Sequence, residues 1–300
     1  MALNLQTFKT RALTALLFVA VMLTGLLWNF WSFLVLFTVI HFGCWFEYLK
    51  LVEKIYNTRI DVFIKWFLAI CGFTLMMVLG LKNLSFGSSI NLSFIGTDIE
   101  INIKWCVWLL EAICLIVFLA QNKQIPVKAK WMSFAGLVYI SLSLAILLYL
   151  YSIWDLHIHD TFLVVKDGQL PILIIFSIWI NDTMAYLVGS FIGKTALSKI
   201  SPKKTWEGTL GGIILSITVI TIIIYWIFEL SAVVLFGIAL IPGFCGIFGT
   251  IGDLFESKLK RMANVKDSGS IMPGHGGFLD RFDSLLFAVP AVWVYVHLLL

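Results

Sequence analysis

Runs of about twenty apolar residues dominate this chain and leave it few ways to fold. A backbone in hydrocarbon must satisfy its own N–H and C=O groups, so runs of that length cross a bilayer as helices. Nine such runs stand at roughly 12–28, 30–49, 63–81, 105–121, 132–153, 171–192, 209–229, 232–252 and 284–300. Only 13% of the 300 residues are charged, against about 25% in soluble domains. The expected fold is all-α: a polytopic transmembrane helix bundle of about nine spans. It divides into N-terminal helices over 1–170 and a C-terminal catalytic region over 171–300. The first run follows Lys9 and Arg11 as a signal peptide would. It lacks a clear small-residue cleavage site and leads straight into further spans, so it reads as a retained span.

Charge then orients the bundle. With nine alternating spans, one side collects all of the 21 lysines and arginines except Lys82, Lys104 and Lys166. The positive-inside rule places that side, with the N-terminus and the 253–283 segment, in the cytoplasm and the C-terminus outside. The compactness of the chain adds the expectation of an integral protein of a bacterial cytoplasmic (inner) membrane. A net charge of +4 needs no nucleic-acid partner, and basic loops attract anionic lipid head groups instead. The five cysteines, Cys44, Cys71, Cys106, Cys114 and Cys245, lie in or beside apolar runs without zinc-like spacing, and read as buried small hydrophobes.

Polar groups inside the spans need a reason. Asn181 and Asp182 fall near the middle of the sixth run, where a charge costs about 3 kcal/mol or more unless it meets a wet cavity, a metal or a partner. An inter-helix hydrogen bond, with Asp182 neutral, is the less favoured alternative for the pair. Glu111 is a lone acid with no motif around it. In the eighth run Gly243, Gly246, Gly249 and Gly252 recur every three residues, a pattern that lets another helix or a ligand approach closely. If that helix continues, Asp253, Glu256 and Ser257 share one face.

The densest charge lies between Ser257 and Asp283. Asp280 and Asp283 are three apart and would project from one helical face. Neighbouring carboxylates repel unless a cation sits between them, and magnesium favours hard oxygen ligands beside substrate phosphates. Asp253 and Asp280 come from different elements, so together they would grip one ion. A solvated acidic helix end accounts for Asp-Arg-Phe-Asp alone, but less well for its company of Lys260-Arg261, Lys266-Asp267 and His275-Gly276-Gly277. The loop after the sixth run adds Lys194, Lys199, Lys203 and Lys204 with the hydroxyls of Ser201 and Thr205. Lysine meets phosphate as a mobile point charge. Gly208, Gly211 and Gly212 read as places of close approach with exposed amides. Gly193-Lys194-Thr195 is no P-loop, because neither the upstream spacing nor a preceding strand is there.

Ser257, Lys260-Arg261, Lys266-Asp267, His275-Gly276-Gly277, Asp280-Arg281 and Asp283, in that order, together with the block from Asn181 to Gly212, resemble the phosphatidate cytidylyltransferase (CDP-diacylglycerol synthase) family. The first 170 residues match only in being apolar and polytopic. The resemblance implies that CTP and phosphatidate give CDP-diacylglycerol and pyrophosphate, with magnesium required and a second cation site close by. It implies helical, often dimeric membrane proteins with the site in a funnel open to cytoplasm and bilayer. It points to Asp253 and Asp280 as metal ligands, and position and charge add Asp182 and Asp283. Lys203, Lys204, Lys260 and Arg261 would hold the triphosphate or the lipid phosphate. Ser201 and His275 would add hydrogen bonds, and Lys266, Gly276, Gly277 and Arg281 complete the substrate-binding set. Two other readings compete. A CTP-dependent lipid kinase would release CDP instead of pyrophosphate. A secondary transporter would suit a midplane Asp182 and glycine-rich spans, but the chain has no internal repeat and concentrates its charge on one face.

Overall fold

A computed structural model of the chain describes residues 5–81, 89–94, 97–102, 125–152, 155–158, 161–164, 167–228, 230–270 and 276–298, with isolated positions at 109, 112–113 and 116. Among the described residues, eight helical segments carry the fold: α1 (Leu5–Leu27), α2 (Phe30–Tyr56), α3 (Val62–Gly80), α4 (Val127–Tyr151), α5 (Gln169–Ile192), α6 (Trp206–Phe228), α7 (Ala232–Met262) and α8 (Leu279–Leu298). Among the described residues, the seven from α2 to α8 are long and apolar enough to cross a membrane, and α1 adds a shorter apolar stretch, Leu13–Leu27. The helical membrane bundle expected from the apolar runs is thus what the chain forms. The run at 105–121, with Glu111, Cys106 and Cys114, lies outside the described residues apart from the isolated positions.

Among the described residues, two short antiparallel strand pairs fall between helices in the sequence. Strand β1 (Ser89–Phe94) pairs with β2 (Thr97–Asn102), Ser89 opposite Asn102, and β3 (Asp155–Ile158) pairs with β4 (Thr161–Val164), Asp155 opposite Val164. Neither was expected from the apolar runs.

Local signals set the helix ends. Asn29 caps α2 through a bond from the Ser32 N–H (2.9 Å) while Ser32 Oγ accepts from the Asn29 N–H (3.1 Å), a reciprocal box. Asp61 caps α3 at the Phe63 N–H (2.8 Å). Within α4, Leu137–Leu142 form a wide π turn, a local irregularity that often serves a site or a packing need. Here it sets Ser141 in the core, where its Oγ accepts from Trp45 Nε1 (2.8 Å) and lies 3.0 Å from His41 Nε2.

The core is centred on α2, whose Phe33, Phe37, Ile40, Cys44, Trp45 and Tyr48 are buried against α4 and its neighbours. Outward-facing residues such as Phe63, Phe191, Ile214 and Trp226 stay apolar, as a lipid-facing surface must. Inter-helix hydrogen bonds add to this packing at about 0.6 kcal/mol each: Ser143 Oγ to the Leu286 carbonyl (2.7 Å), Tyr295 Oη to the Gly237 carbonyl (2.8 Å) and Ser216 Oγ to the Ser177 carbonyl (3.2 Å).

The glycine stripe on α7 acts as the spacing suggested. Gly243 and Gly246 lie against Ile217 and Ile213 of α6, while Gly249 and Gly252 lie against Ser284 and Asp283 of α8. Gly208 and Gly212, expected as exposed loop amides, instead sit inside α6 with Ala185 and Gly189 of α5 pressed against them. Their lack of a side chain serves helix–helix approach. Helix α7 also runs beyond its apolar part to Met262, so Asp253, Glu256 and Lys260 ride on one rigid element.

Candidate active site

The ends of α7 and α8 and the loop between α5 and α6 build one charged centre. Asp253 and Glu256 project from α7 one turn apart, and Asp283 projects from the first turns of α8. Each offers a carboxylate oxygen, and the three oxygens lie within 4.8 Å of one another. Close packing makes this possible. A Cβ on Gly252 would overlap the Asp283 main-chain carbonyl, so only glycine lets α8 come this near.

The loop supplies the first cation. Thr205 caps α6 by accepting from the Gly208 N–H (3.1 Å), and the Glu207 carboxylate accepts from the Lys194 N–H (3.2 Å) and the Thr195 N–H (3.1 Å). The Leu197 N–H bonds the Lys204 carbonyl at 2.7 Å, which ties the loop back on itself. The loop so folded aims Lys204, whose Nζ forms an ion pair with Asp253.

Lys260 supplies the second. Its Nζ pairs with Glu256 and lies 2.6 Å from Asp280 Oδ1. Asp280 Oδ2 is already surrounded by donors: the Ser268 N–H (2.9 Å), Ser268 Oγ (2.9 Å) and the Gly277 N–H (2.8 Å). Gly276 has φ +80, in the left-handed region that favours glycine, and brings the chain tightly round this carboxylate.

Not all of the expected residues meet. Asp253 and Asp283 are brought together with Glu256, whereas Asp280 sits with Lys260 and Ser268, outside that trio. Asp182 accepts from Asn181 Nδ2 (3.3 Å), remains accessible, and is close enough to Lys204 and Asp253 to feel both charges. Lys203, Arg261, Lys266 and Arg281 are exposed, and Ser201 is half-buried in the loop. Gly277 is buried against Glu47 and gives its N–H to Asp280, and His275 lies outside the described residues.

Three contributors escaped the sequence reading of the site. Glu256 was visible on the Asp253 face but given no role. Ser268 and Glu47 went unnoticed; Glu47, on α2, is buried and accepts from Ser268 Oγ (2.7 Å) and from the Phe278 (3.0 Å) and Leu279 (2.9 Å) N–H groups. An acid inside the run Phe46-Glu47-Tyr48-Leu49 was itself a signal, because membrane helices rarely tolerate one.

The donor set suits a hard divalent cation. Among the described residues, four carboxylates, Asp253, Glu256, Asp280 and Asp283, face two lysines, and Glu256 Oε1 is buried without a hydrogen-bond donor. An all-oxygen, cation-deficient cluster is the kind of site magnesium takes.

Clustered carboxylates and lysines at the ends of apolar helices mark an integral membrane protein with a charged centre. The chain belongs to the cytidylyltransferase family, whose model matches residues 9–299. Over 128 residues it is 48% identical to a Staphylococcus aureus (strain COL) protein named phosphatidate cytidylyltransferase, covering 42% of this chain and 48% of the relative. Relatives of the same name in Bacillus subtilis (strain 168) and Synechocystis sp. are 47% identical over 125 residues and 46% identical over 134. Those two matches cover 40% and 44% of this chain and 45% of each relative. The chain thus spans about half the length of the relatives that it matches.

Proposed function

We propose that the chain is a phosphatidate cytidylyltransferase, converting CTP and phosphatidate to CDP-diacylglycerol and pyrophosphate for phospholipid biosynthesis. The observation that carries this is the Asp253–Glu256–Asp283 cluster with Lys204 paired to it, in a member of the cytidylyltransferase family. The charge bias of the loops supports a centre on the cytoplasmic face of a bacterial inner membrane, where CTP is available.

In this reading a phosphatidate oxygen attacks the α-phosphorus of CTP in line, and pyrophosphate leaves. No general base is required, because a phosphate monoester is mostly ionised near pH 7. Positioning and charge neutralisation carry such reactions. Lys204 exchanges its bond to Asp253 for a phosphate oxygen when substrate arrives. Lys203 and Arg261, both exposed at the rim, draw in the triphosphate. Asp280 keeps Lys260 in place, with Oδ2 held by three donors. Asp253, Glu256 and Asp283 would hold magnesium, which when bound supplies neutralisation of charge on the phosphate oxygens.

The test is to incubate detergent-purified protein with phosphatidate, magnesium and CTP labelled on the α-phosphorus, with and without EDTA. Label moving into a lipid product, and lost on chelation, supports nucleotidyl transfer. Label staying in water-soluble nucleotide, with folded protein, sinks the reading and directs the assay to γ-labelled CTP and a lipid-kinase activity.

A further inference from the structure

We propose that Glu47, on α2, is a positioning residue for this reaction: it holds the start of α8 and, through Ser268, the Asp280 carboxylate. The proposal rests on the cytidylyltransferase reading above and extends it to a helix outside the C-terminal region.

A buried carboxylate beside Cys44, Trp45 and Tyr48 is costly unless several donors meet it. Glu47 has three. Oε1 accepts from the Phe278 N–H (3.0 Å), and Oε2 accepts from the Leu279 N–H (2.9 Å) and contacts Ser268 Oγ (2.7 Å). The backbone donors are the first of α8, groups that no helix can satisfy internally. A local side chain usually caps them, but the residue at the cap of α8 is Phe278, which has no acceptor. Of the backbone N–H groups around this end, Asp280 takes the one of Gly277, just before the cap. The cap is therefore supplied from α2, more than two hundred positions away, with a negative charge at the positive end of the helix dipole.

Space for the carboxylate has been left on both sides. A Cβ on Gly269 or on Gly277 would overlap Glu47. The Ser268 hydroxyl lies 2.7 Å from Glu47 Oε2 and 2.9 Å from Asp280 Oδ2, and its single hydrogen is shared between them. A connected path follows: Glu47, Ser268, Asp280, Lys260 and Glu256. Glu47 touches no substrate; it fixes the groups that fix Lys260.

Glu47→Gln keeps the shape but turns an N–H₂ group toward N–H donors. Expected in the purified variant is a kcat per folded molecule lower by about 10- to 100-fold. CTP and phosphatidate KM should stay near wild type, and amide hydrogen exchange should quicken over 276–283 but not over α3. A purely structural residue would lower the folded fraction and leave kcat per folded molecule intact. That result, or a folded variant with wild-type kcat and exchange, overturns the proposal. If Glu47→Gln does not fold, Ser268→Ala carries the test: it removes the shared hydroxyl alone, and wild-type kcat and exchange there overturn it equally. Wild-type protein that transfers no α-label would remove the functional reading, while the exchange comparison still decides whether Glu47 holds α8.

Discussion

Lys260 Nζ lies 2.6 Å from Asp280 Oδ1 and also pairs with Glu256, so one ammonium joins the end of α7 to the start of α8. Glu256 is fully buried, and the lysine and Asp280 are nearly so.

Breaking this contact should cost more than a surface pair would. Lys260→Met leaves two carboxylates facing each other with no cation, a loss of about 3–5 kcal/mol for a broken buried pair. Unfolding in detergent should show a markedly lower Tm. Adding Glu256→Gln to Lys260→Met should restore part of the stability and none of the turnover. A single variant as stable as wild type would mean that the pair contributes nothing.

Asp253→Asn and Asp283→Asn should each fold and yet turn over poorly. Losing about 3 kcal/mol of charge stabilisation corresponds to about a hundredfold in kcat. Asp280→Asn differs, since Oδ2 accepts three hydrogen bonds; it should lose stability together with activity. Steady-state rates beside thermal unfolding for the three variants separate the two behaviours.

Magnesium should stabilise the folded protein as well as support turnover. A ligand at a hundred times its Kd adds about 2.7 kcal/mol. A dose-dependent rise in Tm with magnesium, reversed by EDTA and absent in Asp253→Asn, is the expected result. An equal rise in wild type and variant would place the ion elsewhere.

Gly252→Ala should destabilise by about 1–3 kcal/mol, because the new methyl group meets backbone and not a flexible side chain. Gly243→Ala should be nearly neutral, since its Cβ would reach only the tip of Ile217 at 3.3 Å. Chemical unfolding of the two variants tests whether the stripe matters most where it faces Asp283.

Lys203→Ala should raise the CTP or phosphatidate KM and leave kcat near wild type, the pattern of lost uniform binding. The effect should shrink with added salt, because this lysine is exposed. Unchanged substrate dependence would remove Lys203 from the site.

The sequence revealed what is local and hid what is distant. Apolar length alone marked the helices from α2 to α8, and the three-residue glycine spacing foretold the contacts of α7. Asp253 and Asp283 stood out because each sits where an apolar run meets a charged one. The hairpin at 89–102 left a trace in the alternation of Ile90, Leu92 and Phe94, then Ile99 and Ile101, but the longer apolar runs on either side drew the reading past it. The division of the carboxylates was not legible: whether Asp280 joins Asp253 or Lys260 depends on how the turn at Gly276 is drawn round it. Glu47 was harder still, because its partners lie 221 to 232 positions further along the chain.

That last contact bears on chimeras. The start of α8 takes its cap from α2, so a hybrid built by exchanging the first half for that of a distant relative inherits a foreign residue at the root of the proposed reaction centre. Such a hybrid could insert and span correctly yet remain inert until a single acid is restored on its second helix.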